Sequence, residues 1–350
     1  MAGDQSKPNS LLDRPLDRSR LRVDFNPAEH GVSPLSLEVL VPEEPLPADL
    51  YLPLVDRESQ EVEMTLASPA GERFLARWRD RLLKAGQRVV YVRQEDAAAL
   101  GDYFQEHAQA IMDSPEATLR KKALVVREMA SLNLRALFGG DMSPRSVEGA
   151  VGRAHDTVSR LASNPMILSN LAEVVKSDYS VYTHSVNVCM LAMALGRYLA
   201  LSEGQVGALG MGGLLHDVGM SRMPPAILEK PGPLTPAERQ TMNQHPRRGY
   251  QLLLPVGAVP YDVLMIVLHH HENADGSGYP DRLPAERTPR LARLVKLCDA
   301  FDAMTSRRPY QDARPAFDAA KTLIQDMGSM FGQDLVPTFI RFLGSPFFSQ

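Results

Sequence analysis

The chain has 350 residues, 38 basic and 42 acidic, for a formal charge of −4, a balance that gives no overall reason to expect a nucleic-acid or membrane partner. Its length suits about two domains with a sizeable core. Two cysteines, Cys189 and Cys298, cannot form a disulfide framework; with no signal-like apolar core in MAGDQSKPNSLLDRPLDRSRLR and no run near about 18 apolar residues, a cytoplasmic chain without membrane insertion is expected.

Residues 1–45 are rich in Pro, Ser, Asp and Arg without a sustained period and are expected to form a flexible leader. From Leu50 the pattern changes. LYLPLV, EVEMTLA and RVVYV read as short strands, while ERFLARWRDRLLKAG and EDAAALGDYFQEHAQAIMD read as amphipathic helices. Together they predict a small α+β domain over 46–112, by position a candidate regulatory module. Residues 113–178 have helical spacing and no gathered chemistry, and read as a helical connector; the His155-Asp156 dipeptide there reads as an exposed pair. The rest, 179–350, reads as a helical domain, so the fold class is mostly α. THSVNVCMLAMALGRYLAL, SEGQVGALGMGGLLHDVGM, TPAERQTMNQHPRRGYQLLL and PYDVLMIVLHHHE each look like one helix of a bundle. Ser202 with Gln205 and Thr235 with Glu238 have the spacing of capping boxes.

Six of the nine histidines fall between His184 and His271. His216-Asp217 follows the apolar run GMGGLL, where a buried carboxylate is costly unless it is paired or coordinates a metal. Alone, that pair also reads as a hydrogen-bonded buried couple, His184 as a core histidine and His245 as a surface residue. His269, His270 and His271 cannot all aim at one small centre from a helix, where successive residues are about 100° apart. Asp299 ends the apolar run RLVKLC, with Asp302 three residues on. Taken together these imidazoles and carboxylates favour a transition-metal site built between helices.

In order and spacing, LLHDVGMSRMPPAILEKPGPLTPAERQTMNQHPRRGYQLL, HHENADGSGYPDRL and ARLVKLCDAFDAMTSRRPY resemble the HD-GYP family, a branch of the HD-domain phosphohydrolases that cleaves cyclic di-GMP. The resemblance spans roughly 180–325 and implies an HD-type helical bundle over 179–350. It implies two divalent transition metals, iron or manganese ahead of zinc: one held by His184, His216, Asp217 and Asp299, the other by His245, His270 and His271, with Asp217 bridging. Ser180 stands where three-metal members carry a glutamate. The implied reaction is hydrolysis of cyclic di-GMP to pGpG, and onward to GMP in some members, by a hydroxide bridging two metals, with His216 and Asp217 catalytic. Arg308, Tyr279 and Gly278 are the implied substrate-side residues, and Glu272 and Asp302 orient ligands. Diguanylate cyclase-type or other signalling proteins are implied partners of the GYP loop, and there is room for a homodimer. The sequence departs from the family at Met220, where a lysine is usual, and at Gln311, where a basic residue is usual. Those departures keep open a weakly active or inactive module acting as a cyclic di-GMP sensor or interaction output.

Overall fold

The structure, a computed structural model, describes residues 17–21, 25, 27–56, 58–139, 143–163, 181–228, 230, 232–306, 313–332 and 334–345. The chain divides into two compact units, Met1–Ala136 and Leu137–Gln350.

The first unit holds a four-stranded antiparallel sheet of β1 (Val32–Ser36), β2 (Leu50–Val55), β3 (Val62–Ser68) and β4 (Val89–Arg93), in the order β1-β4-β2-β3. With it go α1 (Ala76–Lys84), α2 (Ala97–Asp113) and most of α3 (Leu119–Gly139). β2 is buried over Leu50–Leu54, as its unbroken apolar run requires. Pro53 has no N–H to donate, and β2 pairs with β4 only at Tyr51↔Tyr91, two residues before it. The sheet begins earlier than the composition suggests. β1 lies inside the stretch read as a leader and pairs with β4 over its whole length, Val32↔Arg93 to Ser36↔Val89. Val32 and Leu35 are buried there, and backbone pairing compensates for the strand's lack of a sustained apolar period. The first compact unit also runs past residue 112, taking in most of α3.

In the second unit the described helices are α4 (Pro144–Ser163), α5 (Val181–Tyr198), α6 (Glu203–Leu215), α7 (Pro225–Leu228), α8 (Pro236–Met242), α9 (His245–Leu253), α10 (Tyr261–His269), α11 (Arg290–Thr305), α12 (Ala316–Gln325), α13 (Gly328–Phe331) and α14 (Leu335–Leu343). α4 buries Val147, Ala150, Val151, Ala154, Thr157, Val158 and Leu161, the three-four spacing of a single apolar stripe. His155 and Asp156 lie on its exposed side. α6 is buried without a break from Ala208 to Leu215 and touches α4, α5, α10 and α11, so it is the central helix. Its start carries the Ser202–Gln205 capping box, and α8 starts with the Thr235–Glu238 box.

Two segments differ from the single helices expected of them. TPAERQTMNQHPRRGYQLLL forms α8 and α9, separated at Asn243-Gln244. Pro246 lacks the N–H that a continuous helix would donate to Met242, and its ring would crowd that carbonyl, so a new helix starts at His245. The run through HHHE is helical only to His269; His270 is the C-cap.

Candidate metal centre

Five chain segments bring the expected ligands together. His184 comes from the first turns of α5, Asp299 from α11, His216 and Asp217 from the turn that ends α6, and His245 from the start of α9; His270 and His271 come from the end of α10. Within this set Asp217, His245, His270 and His271 form one group of donor atoms lying within 4.8 Å of one another, and His184, His216 and Asp299 form a second. Asp217 stands between them: one carboxylate oxygen is 3.3 Å from His216 Nε2, and the other is 3.2 Å from His245 Nε2 and 3.7 Å from His270 Nε2.

Two glycines permit this approach. A Cβ at Gly219 would lie 1.9 Å from the His245 carbonyl oxygen, so only glycine lets the turn after Asp217 press on the start of α9. A Cβ at Gly278 would meet the backbone of His271, Glu272 and Asn273 at 2.6 Å or less, so the GYP loop lies directly on the histidine turn.

Three rings are oriented in the same way. His216, His245 and His270 each place Nδ1 2.9 Å from the carbonyl oxygen three residues back, at Gly213, Met242 and Val267. These carbonyls belong to last turns of α6, α8 and α10, where the intrahelical acceptors run out of donors. Nδ1–H donates to the carbonyl, which leaves Nε2 as the inward atom. His184 is set differently: Nδ1 lies 2.7 Å from Asp302 Oδ2 and donates to it, and Nε2 lies 3.1 Å from Asp299 Oδ1. Asp302 is itself buried and accepts from Asn187 Nδ2 at 3.0 Å and Ser306 Oγ at 3.1 Å.

The inward atoms are mutually acceptors. His245 Nε2 and His270 Nε2 face each other at 3.3 Å, so at most one proton can lie between them, and both also face Asp217. His216 Nε2 is buried without a hydrogen-bond partner. Burial, then the neighbouring ring of His270, pushes His271 well below the usual imidazole range; burial likewise lowers His270. Burial alone would raise Asp217, but His216 and the contacts from His216, His245 and His270 hold it well below the usual carboxylate range. Burial would lower His184 and His216 too, but the carboxylates of Asp299 and Asp302 raise the first and Asp217 raises the second. Imidazoles and ionised carboxylates converging in this way form a donor set that fits divalent transition metals.

The fate of His269 follows from where α10 ends. Because the chain leaves the helix at His270, His271 turns back and its ring centroid lies 4.2 Å from that of His270, while His269 points to Glu272 and Asp281 instead. Tyr279 packs on His271, ring centroids 4.7 Å apart at 32°, and burial raises its phenol, which therefore keeps its proton. Gly278 is the buried contact just described. Met220 sits in the 3-10 turn after Asp217, where its backbone N–H donates to the Asp217 carbonyl. Arg308 and Gln311 lie outside the described residues, as does Ser180.

Asn187, Ser306 and Lys296 were not singled out from the sequence. Lys296, buried on α11, donates from Nζ to the Glu272 carbonyl oxygen at 2.7 Å and to Asn273 Oδ1, tying α11 to the histidine turn. A lone lysine inside the apolar run RLVKLC was the readable sign of it.

The chain is similar to known proteins. The HD domain family matches residues 161–335. Cyclic di-GMP phosphodiesterase PA4108 of Pseudomonas aeruginosa is 38% identical over 201 residues, 56% of this chain and 48% of that protein. The 3'3'-cGAMP-specific phosphodiesterase 3 of Vibrio cholerae is 30% identical over 229 residues, 64% of this chain and 49% of that protein. The chain thus spans about half the length of these curated relatives. In fold, it is similar to Bd1817, an HDG"Y"P protein from Bdellovibrio bacteriovorus, with a TM-score of 0.64 at 21% identity over 90% of this chain and 100% of the other. With the HD turn, the HHE turn and the GYP loop in order inside the matched span, the chain belongs to the HD domain family, in its HD-GYP branch.

Proposed function

We propose that the second unit is a metal-dependent phosphodiesterase that hydrolyses cyclic di-GMP to linear pGpG at a binuclear centre, with iron or manganese ahead of zinc. The observation that carries the proposal is the placement of Asp217 between two groups of imidazole and carboxylate donor atoms, with His245 Nε2 facing His270 Nε2 at 3.3 Å and His216 Nε2 buried without a hydrogen-bond partner. His184, His216, Asp217 and Asp299 would hold one ion, and Asp217, His245, His270 and His271 the other. Bound there, two such ions would supply Lewis acidity to a phosphodiester and acidify water at neutral pH.

The chain's own groups prepare the site. Asp217 presents one oxygen to each side, and Asp302 fixes the tautomer of His184 by accepting its Nδ1–H. Tyr279 covers one face of His271, so the GYP loop would wall the substrate site on that side. Gly278 keeps that wall close to the ligand turn, and the motif RPY supports Arg308 as the residue that grips substrate phosphate. Two free, buried thiols suit a reducing, cytoplasmic setting, and no described helix is long and apolar enough to cross a membrane.

A second reading, a module that binds cyclic di-GMP with little turnover, is favoured by Met220, which places a thioether where the family carries an ammonium. The two readings separate in one experiment. Anaerobically purified protein is analysed for metal and incubated with cyclic di-GMP and, in parallel, 3'3'-cGAMP, beside Asp217→Asn. The first reading expects two ions per chain, pGpG as product and a loss of more than about 10³-fold in the variant. Two ions with cyclic di-GMP bound but intact would establish the second; absence of metal after loading would defeat both.

A further inference from the structure

The ring that the binuclear centre leaves out, His269, has a buried Nδ1 with no hydrogen-bond partner. It is aimed at two carboxylates: Glu272 Oε1 at 3.8 Å and Asp281 Oδ2 at 3.9 Å. Both distances are too long for a hydrogen bond, yet the side chain of His269 is only 9% exposed and that of Glu272 is fully buried. The carboxylates retain capacity for a further partner. Glu272 accepts the backbone N–H of Asp281 at 2.7 Å on Oε1 and that of Leu283 at 3.0 Å on Oε2, one bond for each oxygen. Asp281 spends Oδ1 on Arg247 and turns Oδ2 toward His269.

We propose that His269, Glu272 and Asp281 form a separate divalent-cation site, of the zinc class, outside the seven-ligand centre. The three residues offer donor atoms that all lie within 4.8 Å of one another. For three atoms so spaced, with two separations of 3.8 and 3.9 Å, a common point lies at most about 2.5 Å from each; small side-chain adjustments reach ordinary zinc–nitrogen and zinc–oxygen lengths. One imidazole and two carboxylates suit zinc or manganese, and a cation there would neutralise the buried Glu272. Asp281 follows the GYP loop directly and His269 ends α10, so the ion would staple the loop to the helix that delivers His270 and His271.

The test titrates Zn²⁺ into the metal-stripped full chain and counts bound equivalents by mass spectrometry and calorimetry for wild type, His269→Ala, Asp281→Asn and Arg247→Gln. Wild type and Arg247→Gln should bind one equivalent more than His269→Ala and Asp281→Asn, whose affinity for that equivalent should fall by more than about 100-fold. Arg247→Gln breaks the ion pair to Asp281 without removing a donor, and Asp281→Asn is a half-exposed, isosteric change that spares the fold. Equal equivalents in all four proteins would overturn the site. The reading of the larger centre is tested separately: Asp217→Asn should keep the extra equivalent while losing metal from the seven-ligand set.

Discussion

Replacing Gly219 by alanine probes the geometry on which the binuclear reading rests. The new Cβ would lie 1.9 Å from the His245 carbonyl oxygen and 2.6 Å from the Gly249 nitrogen, both backbone atoms that no rotamer change can move. A carbon–oxygen contact needs roughly 3.3 Å, so the Asp217 turn and the start of α9 must separate by about 1.4 Å. Coordination tolerates displacements of about 0.2 Å, so the shift is several times what a shared ligand can absorb. It acts where it matters, because Asp217 Oδ1 and His245 Nε2 are 3.2 Å apart across that contact. Overpacking of this kind costs about 1–3 kcal/mol, and backbone contact puts Gly219→Ala at the upper end, a fall of roughly 6–12 °C in Tm for a unit of this size. The expected outcome is loss of the ion held by His245, His270 and His271, with cyclic di-GMP hydrolysis down by more than about 100-fold. Gly207→Ala is the control, since its Cβ would meet nothing within 4 Å and lies in a helix, where alanine is favoured by up to about 1 kcal/mol. Full metal content and activity within a few-fold of wild type in Gly219→Ala would refute the reasoning.

Asp302→Asn should weaken metal binding about 10–100-fold while the chain stays folded, because an amide cannot accept from His184 Nδ1–H and from both Asn187 and Ser306 as the carboxylate does; metal titration of the variant checks it. Lys296 carries a pH signature. Burial lowers it from 10.5 to about 8, so the buried ammonium destabilises the fold fully below pH 8, and stability should rise from there toward pH 10.5 by at most about 3 kcal/mol. Lys296→Met removes that rise while also removing the donor to the Glu272 carbonyl; urea unfolding of both proteins at pH 8, 9 and 10 reads the difference in slope, and parallel slopes would show the assignment to be wrong.

The histidines and aspartates that gather, and the helical class, were readable because both rest on local chemistry: a histidine and an aspartate after an unbroken apolar run, and apolar spacing repeated through α4 and α5. β1 was not, since VSPLS shows no sustained alternation and is held by pairing with a strand more than fifty residues away. Asn187 and Ser306 were invisible for a related reason. A polar residue on an apolar helix signals a partner, but only the crossing of α5 and α11 shows that the partner of Asn187 is Asp302, the carboxylate that Ser306 reaches from the end of α11 itself.

The misread helices show how this site is made. Reading α8 with α9 as one helix, and α10 as running through His271, treated His245 and His270 as residues on helix faces; like His216, they sit instead at helix boundaries. A boundary supplies what a helix face cannot, a carbonyl without an intrahelical donor three residues back. The imidazole N–H satisfies that carbonyl, and in doing so the opposite nitrogen is fixed in tautomer and direction. Each of these three rings is thus oriented by a helix end that needed a hydrogen bond in any case, whereas His184, inside α5, is oriented by the carboxylate of Asp302. This explains why Pro246 and the end of α10 at His269 matter as much as the histidines: extending either helix by one turn would occupy the carbonyl and release the ring.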